Sequence, residues 1–399
     1  MKRRIGILSI INDLPHGGDE HRLLSFATHV DREKFDHHVA VIKAREPDFE
    51  AENGTMRPDF VARGVPLIEL GQERRWKNKG IDVMGGLPNR TVGFGRAIRE
   101  LVRSVRAFDI DVIDGHVGTG NQAAVAVGKL TGRPVALTTY HAEFFTPRWL
   151  WYPVQQATLR GADVIVTDSR QRADTMRRFL RSPRAPITII PNGISIEPAR
   201  RSREEVAAEI GVPSDAKIVI GQIAGMIPTK GWAVLVEAAA LVLALEPRAF
   251  FLCIGHQRHD PAFPTMMRDK AAALGIADRM RFLGYHGNNA DVWQLFDVHV
   301  HASLFDSLPN AIIEGMAHAK PAVVTDVGDC ARIVENDVSG LVVPPGDARR
   351  LADALLRLIA EPALRARFGA EARRRYETGH RPEVMTGALQ ALFERLVAR

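Results

Sequence analysis

Short apolar runs recur along the chain, separated by stretches whose apolar residues return at helical spacing. Runs that read as strands lie at 4–10, 38–42, 66–70, 112–114, 135–140, 164–167 and 188–190. The pattern resumes at 217–223, 250–254, 281–283, 299–302, 322–325 and 340–343. Strands alternating with helices form βαβ units and parallel sheets. The series occurs twice, so the expected architecture is α/β, with two Rossmann-like domains facing one cleft. Residues 191–213 are richer in turn and charged residues, which suits a linker and hinge. The expected division is an N-terminal domain 1–192, a linker 193–213, a C-terminal domain 214–381 and a last helical segment 382–399.

Length and composition agree with that division. At 399 residues the chain exceeds the size at which a single core usually stays undivided. Hydrophobic content of 46% and charged content of 25% are those of a globular protein and exclude wholesale disorder. Two cysteines, Cys253 and Cys330, stand far apart, which implies neither a disulfide framework nor a metal-ligand cluster and fits a reducing cytosol. The apolar run that ends at Ile10 is too short for a secretion signal or a spanning helix.

The net charge of +6 favours anionic partners. Arg74, Arg75, Lys77 and Lys79 surround Trp76, and Arg96, Arg99, Arg103 and Arg106 follow a helix that also carries Ile98, Leu101, Val102 and Val105. That helix reads either as an ordinary core helix or as a peripheral dock on the anionic inner face of a membrane. No nucleic-acid-binding module is visible, so nucleic acid is not an expected partner.

The densest candidate chemistry lies in 302–322, where Asp306 and Glu314 stand eight positions apart across a strand-to-helix junction. Ser307 is the expected cap of a helix that Pro309 helps to start, so backbone N–H groups near Leu308 and Asn310 would favour a phosphate. Glu314, inside the helix, has the acceptors to hold a sugar's vicinal hydroxyls. The plainer reading is a helix cap and a solvated helix residue. Upstream, a strand leads through Gly225 to Lys230-Gly231 and a second helix, placing an ammonium where a diphosphate could bind. Thr229-Lys230-Gly231 lacks the Gly-Lys-Ser/Thr of a P-loop. Both loops follow parallel strands, the edge at which open α/β sheets bind ligands. Dinucleotide chemistry is disfavoured, because the turn from Asn12 to Gly18 has no G-x-G-x-x-G and the second strand ends in Ile42-Lys43 rather than an acid. Gly17 and Gly18 let backbone approach a ligand closely. His116 and His141 each end a strand at this edge.

Together these stretches resemble retaining GT-B glycosyltransferases of glycosyltransferase family 4 (glycosyl transferases group 1), over nearly the whole chain. Leu14-Pro-His-Gly17-Gly18-Asp-Glu-His-Arg22 resembles the family's glycine-rich loop, Thr138-Thr-Tyr-His141 its active-site histidine, and Ile189-Ile-Pro-Asn192-Gly193 its interdomain signature. Lys230-Gly231 resembles the diphosphate-binding lysine, Asp306 to Glu314 the Glu-x7-Glu motif, and Gly340 to Asp347 the segment that follows it. The chain departs from the family twice: Gly225 stands where an arginine is common, and Asp306 where glutamate is usual. Arg22 is a candidate for the missing cation.

The resemblance implies a metal-independent, hexosyltransferase-type enzyme that moves a sugar from a nucleoside diphosphate, UDP before others, to a hydroxyl acceptor, with no further cofactor. It implies donor contacts from Gly17, Gly18, Gly225, Lys230, His286, Asp306, Ser307, Leu308, Asn310 and Glu314. His116 and His141 would lie on the acceptor side, with His141, Lys230 and Asp306 as the catalytic set. The last helix is expected to return to the N-terminal domain, and the protein to be cytoplasmic or peripheral on the inner membrane face. The alternatives are a noncatalytic nucleotide-sugar-binding member and a GT-B-fold sugar-nucleotide epimerase or hydrolase.

Overall fold

The computed structural model describes residues 3–15, 17–43, 54–72, 87–138, 148–179, 185–255, 262–284 and 289–399. Two compact units emerge, one comprising Met1–Gly193 and Pro382–Arg399, the other Ile194–Arg381.

The first unit runs β1 (Ile5–Ile11), α1 (Gly18–His29), β2 (Phe35–Lys43), α2 (Arg57–Ala62), β3 (Leu67–Gln72), α3 (Leu87–Ala107), β4 (Ile110–Gly115), α4 (Gly118–Thr131), β5 (Val135–Thr138), α5 (Arg148–Arg160), β6 (Val164–Thr167), α6 (Arg170–Phe179) and β7 (Ile187–Ile189). The strands form one parallel sheet in the order β3-β2-β1-β4-β5-β6-β7. Helices cover both faces, so β4 and β5 are buried along their whole length. The strand expected at 38–42 begins earlier, because Phe35 is buried and pairs with Ile5.

The second unit contains α7 (Arg203–Ile210), β8 (Ile218–Ile223), a short 3-10 turn (Pro228–Lys230), α8 (Trp232–Leu243), β9 (Ala249–Ile254), α9 (Phe263–Ala273), β10 (Met280–Leu283), α10 (Asn289–Trp293), β11 (Val298–His301), α11 (Asn310–Ala317), β12 (Ala322–Thr325), α12 (Cys330–Ile333), β13 (Gly340–Val343), α13 (Ala348–Ala360) and α14 (Pro362–Gly379). Its six parallel strands are ordered β10-β9-β8-β11-β12-β13. Part of the stretch read as a hinge is ordered structure of this unit. Ser202 and Glu205 form a reciprocal capping box at the start of α7, and Val206 and Ile210 pack with Phe250, Leu252 and Phe296. Cys253 and Cys330 are buried free thiols in this unit.

The chain then returns to the first unit as α15 (Pro382–Val397). Met385, Leu389, Leu392, Phe393 and Leu396 recur at helical spacing and are buried with Ile7, Phe26, Val112 and Val164. Phe393 meets Phe26 edge to face at 5.7 Å. In α3, Ala97, Ile98, Leu101 and Val105 enter the core while Arg96, Arg99, Arg103 and Arg106 are exposed, so the apolar face of this basic helix is already used within the unit. The 74–79 basic cluster lies outside the described residues.

Phe393→Ala is expected to cost the first unit about 3–5 kcal/mol, the usual penalty for an emptied aromatic core site. Chemical denaturation of wild type and variant checks this, and a loss below roughly 1 kcal/mol would contradict the packing of α15.

Candidate functional site

In each sheet the strand order reverses beside the first strand of the unit, and ligands bind open α/β sheets at the carboxyl ends of strands around such a point. In the second unit the reversal lies between β8 and β11, and the loops that follow these two strands carry Lys230 and Asp306. A buried side-chain amide ties the loops together. Gln222 Nε2 donates to the Lys230 carbonyl at 3.0 Å, and Gln222 Oε1 accepts from Ala302 N at 2.9 Å. Leu304 N donates to the Thr229 carbonyl at 2.8 Å. Gly231 has φ +70°, and a Cβ there would sit 1.8 Å from the Ala302 carbonyl oxygen, so only glycine permits this approach.

Lys230 Nζ lies 2.6 Å from Asp306 Oδ2. The same oxygen is 3.0 Å from His301 Nε2 and 3.3 Å from Ser303 Oγ, while Asp306 Oδ1 accepts from Ser307 N at 3.1 Å. Burial works to raise the Asp306 carboxyl, but His301 and Lys230 outweigh it and hold it well below the usual carboxylate range. Asp306 is therefore ionised and shared between a lysine and a histidine. The side chains of Lys230 and Asp306 keep 23% and 12% exposure, so the pair is reachable from solvent.

Glu314 lies one turn inside α11, and its Oε2 accepts from Trp293 Nε1 at 3.0 Å. The start of this helix differs from expectation: Pro309 occupies the N-cap position without a side-chain capping bond, and the helix begins at Asn310. Ser307 does not cap it, because it stands two residues before the N-cap; its N–H donates to Asp306 Oδ1 and its carbonyl accepts from Asp329 N at 2.8 Å. Leu308 is buried against Ile312 and Ile313. The Gly225 carbonyl accepts from Trp232 Nε1 at 2.9 Å, so this glycine contributes a pinned backbone rather than a cation.

In the first unit, Gly17 caps α1 and Gly18 opens it. A Cβ on Gly17 would lie 2.3 Å from Glu20 Oε2, a close approach that the sequence pattern did not single out. Burial, with repulsion from Asp19 and Asp13, pushes the Glu20 carboxyl up to about 8. Arg22, the candidate substitute cation, is 3% exposed and donates through Nη1 to the Ile190 carbonyl and Asn192 Oδ1, while its Nε and Nη2 meet no acceptor among the described residues. His116 is 2% exposed, just beyond β4, with Nε2 2.7 Å from Asp114 Oδ2. Ser9 Oγ donates to the same carboxylate oxygen at 3.0 Å and therefore accepts from His37 Nε2 at 2.9 Å. Burial drives His37 down to about 3 despite the nearby Asp114 charge, so it is neutral. His116 thus belongs to a buried network. His141 and His286 lie outside the described residues.

Sequence reasoning missed His301, Ser303 and Trp293. The two histidines of β11 alternate in Val-His-Val-His, and that period was a legible sign of two imidazoles on one sheet face. Nothing local marked Trp293, which reaches Glu314 only through tertiary packing.

A family model described as "Glycosyl transferases group 1" matches residues 217–361, and one described as "Glycosyl transferase 4-like domain" matches residues 17–193. A D-inositol 3-phosphate glycosyltransferase of Saccharomonospora viridis is 32% identical over 229 residues, 55% of this chain and 52% of that protein. The chain thus spans about half the length of this curated relative. A protein of the same description from Stackebrandtia nassauensis is 27% identical over 333 residues, 78% of this chain and 75% of its own length. In fold, the chain resembles Anabaena Alr3699/HepE, solved in complex with UDP and glucose, with a TM-score of 0.75 and 16% identity over 98% of this chain and 100% of that one.

Asp306→Asn is expected to destabilise the second unit by about 1–3 kcal/mol at neutral pH, because Lys230 and His301 lose a charged acceptor. The depressed carboxyl contributes stability that is present above the unfolded value of about 3.9 and lost as pH falls through the lower folded value. Urea titrations at neutral pH and near pH 3 check this. The variant should show a shallower acid loss than wild type, and an equal loss would remove Asp306 from the linkage.

Proposed function

The chain belongs to the glycosyl transferases group 1 family, and from that premise we propose that it moves a sugar from a nucleoside diphosphate to a hydroxyl acceptor, with retention at the anomeric carbon and without a metal ion. The observation that carries this reading is the junction at the carboxyl ends of β8 and β11, where Lys230 and an ionised Asp306 meet from separate loops and Glu314 stands on the helix that follows Asp306. Lys230 would neutralise charge that develops on the departing diphosphate, the step at which such a cation accelerates transfer. Glu314 would hold the ribose hydroxyls, and Asp306 would meet the sugar. The N–H groups at the start of α11, from Asn310 onward, would add favourable dipoles for phosphate. Retention fits attack from the face the diphosphate leaves, with a departing phosphate oxygen taking the acceptor's proton. His116 and His141 are assigned to the acceptor side, and Gly17 and Gly18 to donor contacts, by family likeness.

Relatives described as acting on D-inositol 3-phosphate and a structural neighbour solved with UDP and glucose support a nucleotide-sugar donor, UDP first, and a polyol or glycan hydroxyl as acceptor. The deciding experiment incubates the protein with UDP-, GDP-, ADP- and TDP-sugars and a panel of hydroxyl acceptors, then measures nucleoside diphosphate release and glycosylated product. Release that requires acceptor supports transfer. Acceptor-independent release indicates a hydrolase, and binding without turnover indicates a noncatalytic member. EDTA should leave the rate unchanged, and metal-reversible inhibition would contradict the metal-independent scheme.

Lys230→Ala should lower turnover by roughly a hundredfold or more, the scale seen when one charge-stabilising donor is removed. Glu314→Gln should weaken nucleoside diphosphate binding about five- to thirtyfold, since a charge-assisted bond becomes a neutral one. Calorimetric titration beside initial rates separates the two effects, and unchanged nucleotide affinity in Glu314→Gln would remove the ribose role.

Among the described residues no helix is long and apolar enough to cross a membrane. The exposed arginines of α3 support peripheral docking on an anionic cytoplasmic surface. Sedimentation with liposomes should show binding that requires anionic lipid and weakens as salt approaches physiological strength, where the Debye length is about 8 Å. Neutralising Arg99 and Arg103 together should reduce it without altering donor affinity. Salt-insensitive binding, or none, returns α3 to a purely structural role.

A further inference from the structure

Trp293 ends α10 and is fully buried, yet its one polar atom donates to a carboxylate assigned to the ligand. The indole is locked by rings on several sides. It meets Phe296 edge to face at 5.1 Å and His299 at 5.0 Å, and it stacks on His318 at 5.9 Å with the planes 13° apart. The residue after Glu314 is glycine, and a Cβ there would stand 3.2 Å from the indole Cη2 and Cζ3 atoms and 3.0 Å from His299 Nδ1. The backbone of α11 therefore rides directly on the indole.

We propose that Trp293 is the positioning residue that sets the Glu314 carboxylate for a nucleotide ribose, an inference that rests on the nucleoside diphosphate reading above. An indole N–H is a donor without charge. It holds one carboxylate oxygen without cancelling the negative charge, as a lysine would. The hold also does not titrate. Burial keeps His299 well below its ordinary range and lowers His318 to about 4, so the rings flanking the indole are neutral at physiological pH. The cluster offers Glu314 a fixed dipole rather than a counter-ion. A carboxylate has about four lone-pair positions, and the indole N–H takes one of them. Trp293 touches no substrate in this scheme and acts only through Glu314.

The test compares UDP, 2′,3′-dideoxy-UDP and inorganic pyrophosphate by calorimetry on the full-length wild type and Trp293→Phe, with GDP and ADP run in parallel. Phe keeps an aromatic ring and removes the N–H. The expected result is a roughly tenfold loss of affinity for UDP, a collapsed preference for UDP over the dideoxy analogue, and unchanged pyrophosphate binding. A merely structural role would weaken all three alike or none, and either outcome overturns the proposal. If wild type binds none of the nucleoside diphosphates, the nucleotide reading falls and this inference with it. If wild type binds and discriminates but Trp293→Phe matches it, only the Trp293 role falls. Should Trp293→Phe fail to fold, indole ¹⁵N–¹H spectra of wild type decide. One resonance should shift in Glu314→Gln, and that same resonance should move when UDP is added to wild type. No resonance common to both experiments would overturn the proposal.

Discussion

The contact between Lys230 and Asp306 ties together two loops of the second unit whose sequence separation is 76 residues. Two ions brought partly out of water recover their desolvation cost only when geometry and additional hydrogen bonds are good. Here His301, Ser303 and the Ser307 amide supply those bonds. The backbones beneath are held by the Gln222 amide and by the Gly231–Ala302 approach that only glycine allows. The ion pair is thus an outcome of loop placement as much as its cause.

This pairing bears on the two departures from the family pattern. Asp306 is a methylene shorter than glutamate, and Gly225 brings no cation. A short carboxylate next to a single lysine makes a compact, locally neutral pair, so a bound diphosphate would have to compete with Asp306 for the lysine or share it. Arg22 is buried in the first unit, where its Nη1 bonds to Ile190 and Asn192.

The first unit uses the corresponding edge of its sheet differently. Asp114 and His116 stand at the carboxyl end of β4, and Ser9 in the middle of β1 links them to His37 near the amino end of β2, with Asp114 Oδ2 accepting from Ser9 and lying 2.7 Å from His116 Nε2. Burial would raise the Asp114 carboxyl, yet its bonds to His116, Thr138 and Ser9 hold it below the usual range. A buried carboxylate bonded through one oxygen in this way fixes the orientation of its neighbours, since any rearrangement strands a charge in low dielectric. In the second unit the equivalent edge keeps its charges partly exposed, and there the chemistry is proposed.

Alternation of apolar runs determined the secondary structure, the parallel sheets and the doubling of the unit, because strands covered on both faces must be apolar along most of their length and those runs are local features. The sequence also placed Gly17, Lys230 and Asp306 in loops that follow strands and Glu314 inside the next helix, since helix and loop punctuation is written within a few residues. What it could not decide was which side chain meets which. The Lys230–Asp306 pair, the Gln222 bridge, the burial of Arg22 and the indole bond from Trp293 to Glu314 join residues on different strands and helices, and Ser307 lost its expected capping role because the helix begins at Asn310 with Pro309 as its N-cap. Each of these depends on sheet order and on the approach that glycines permit across elements. Such distances are set only when the units close, because the energy that selects them is packing and desolvation summed over many neighbours rather than any preference of the residues themselves.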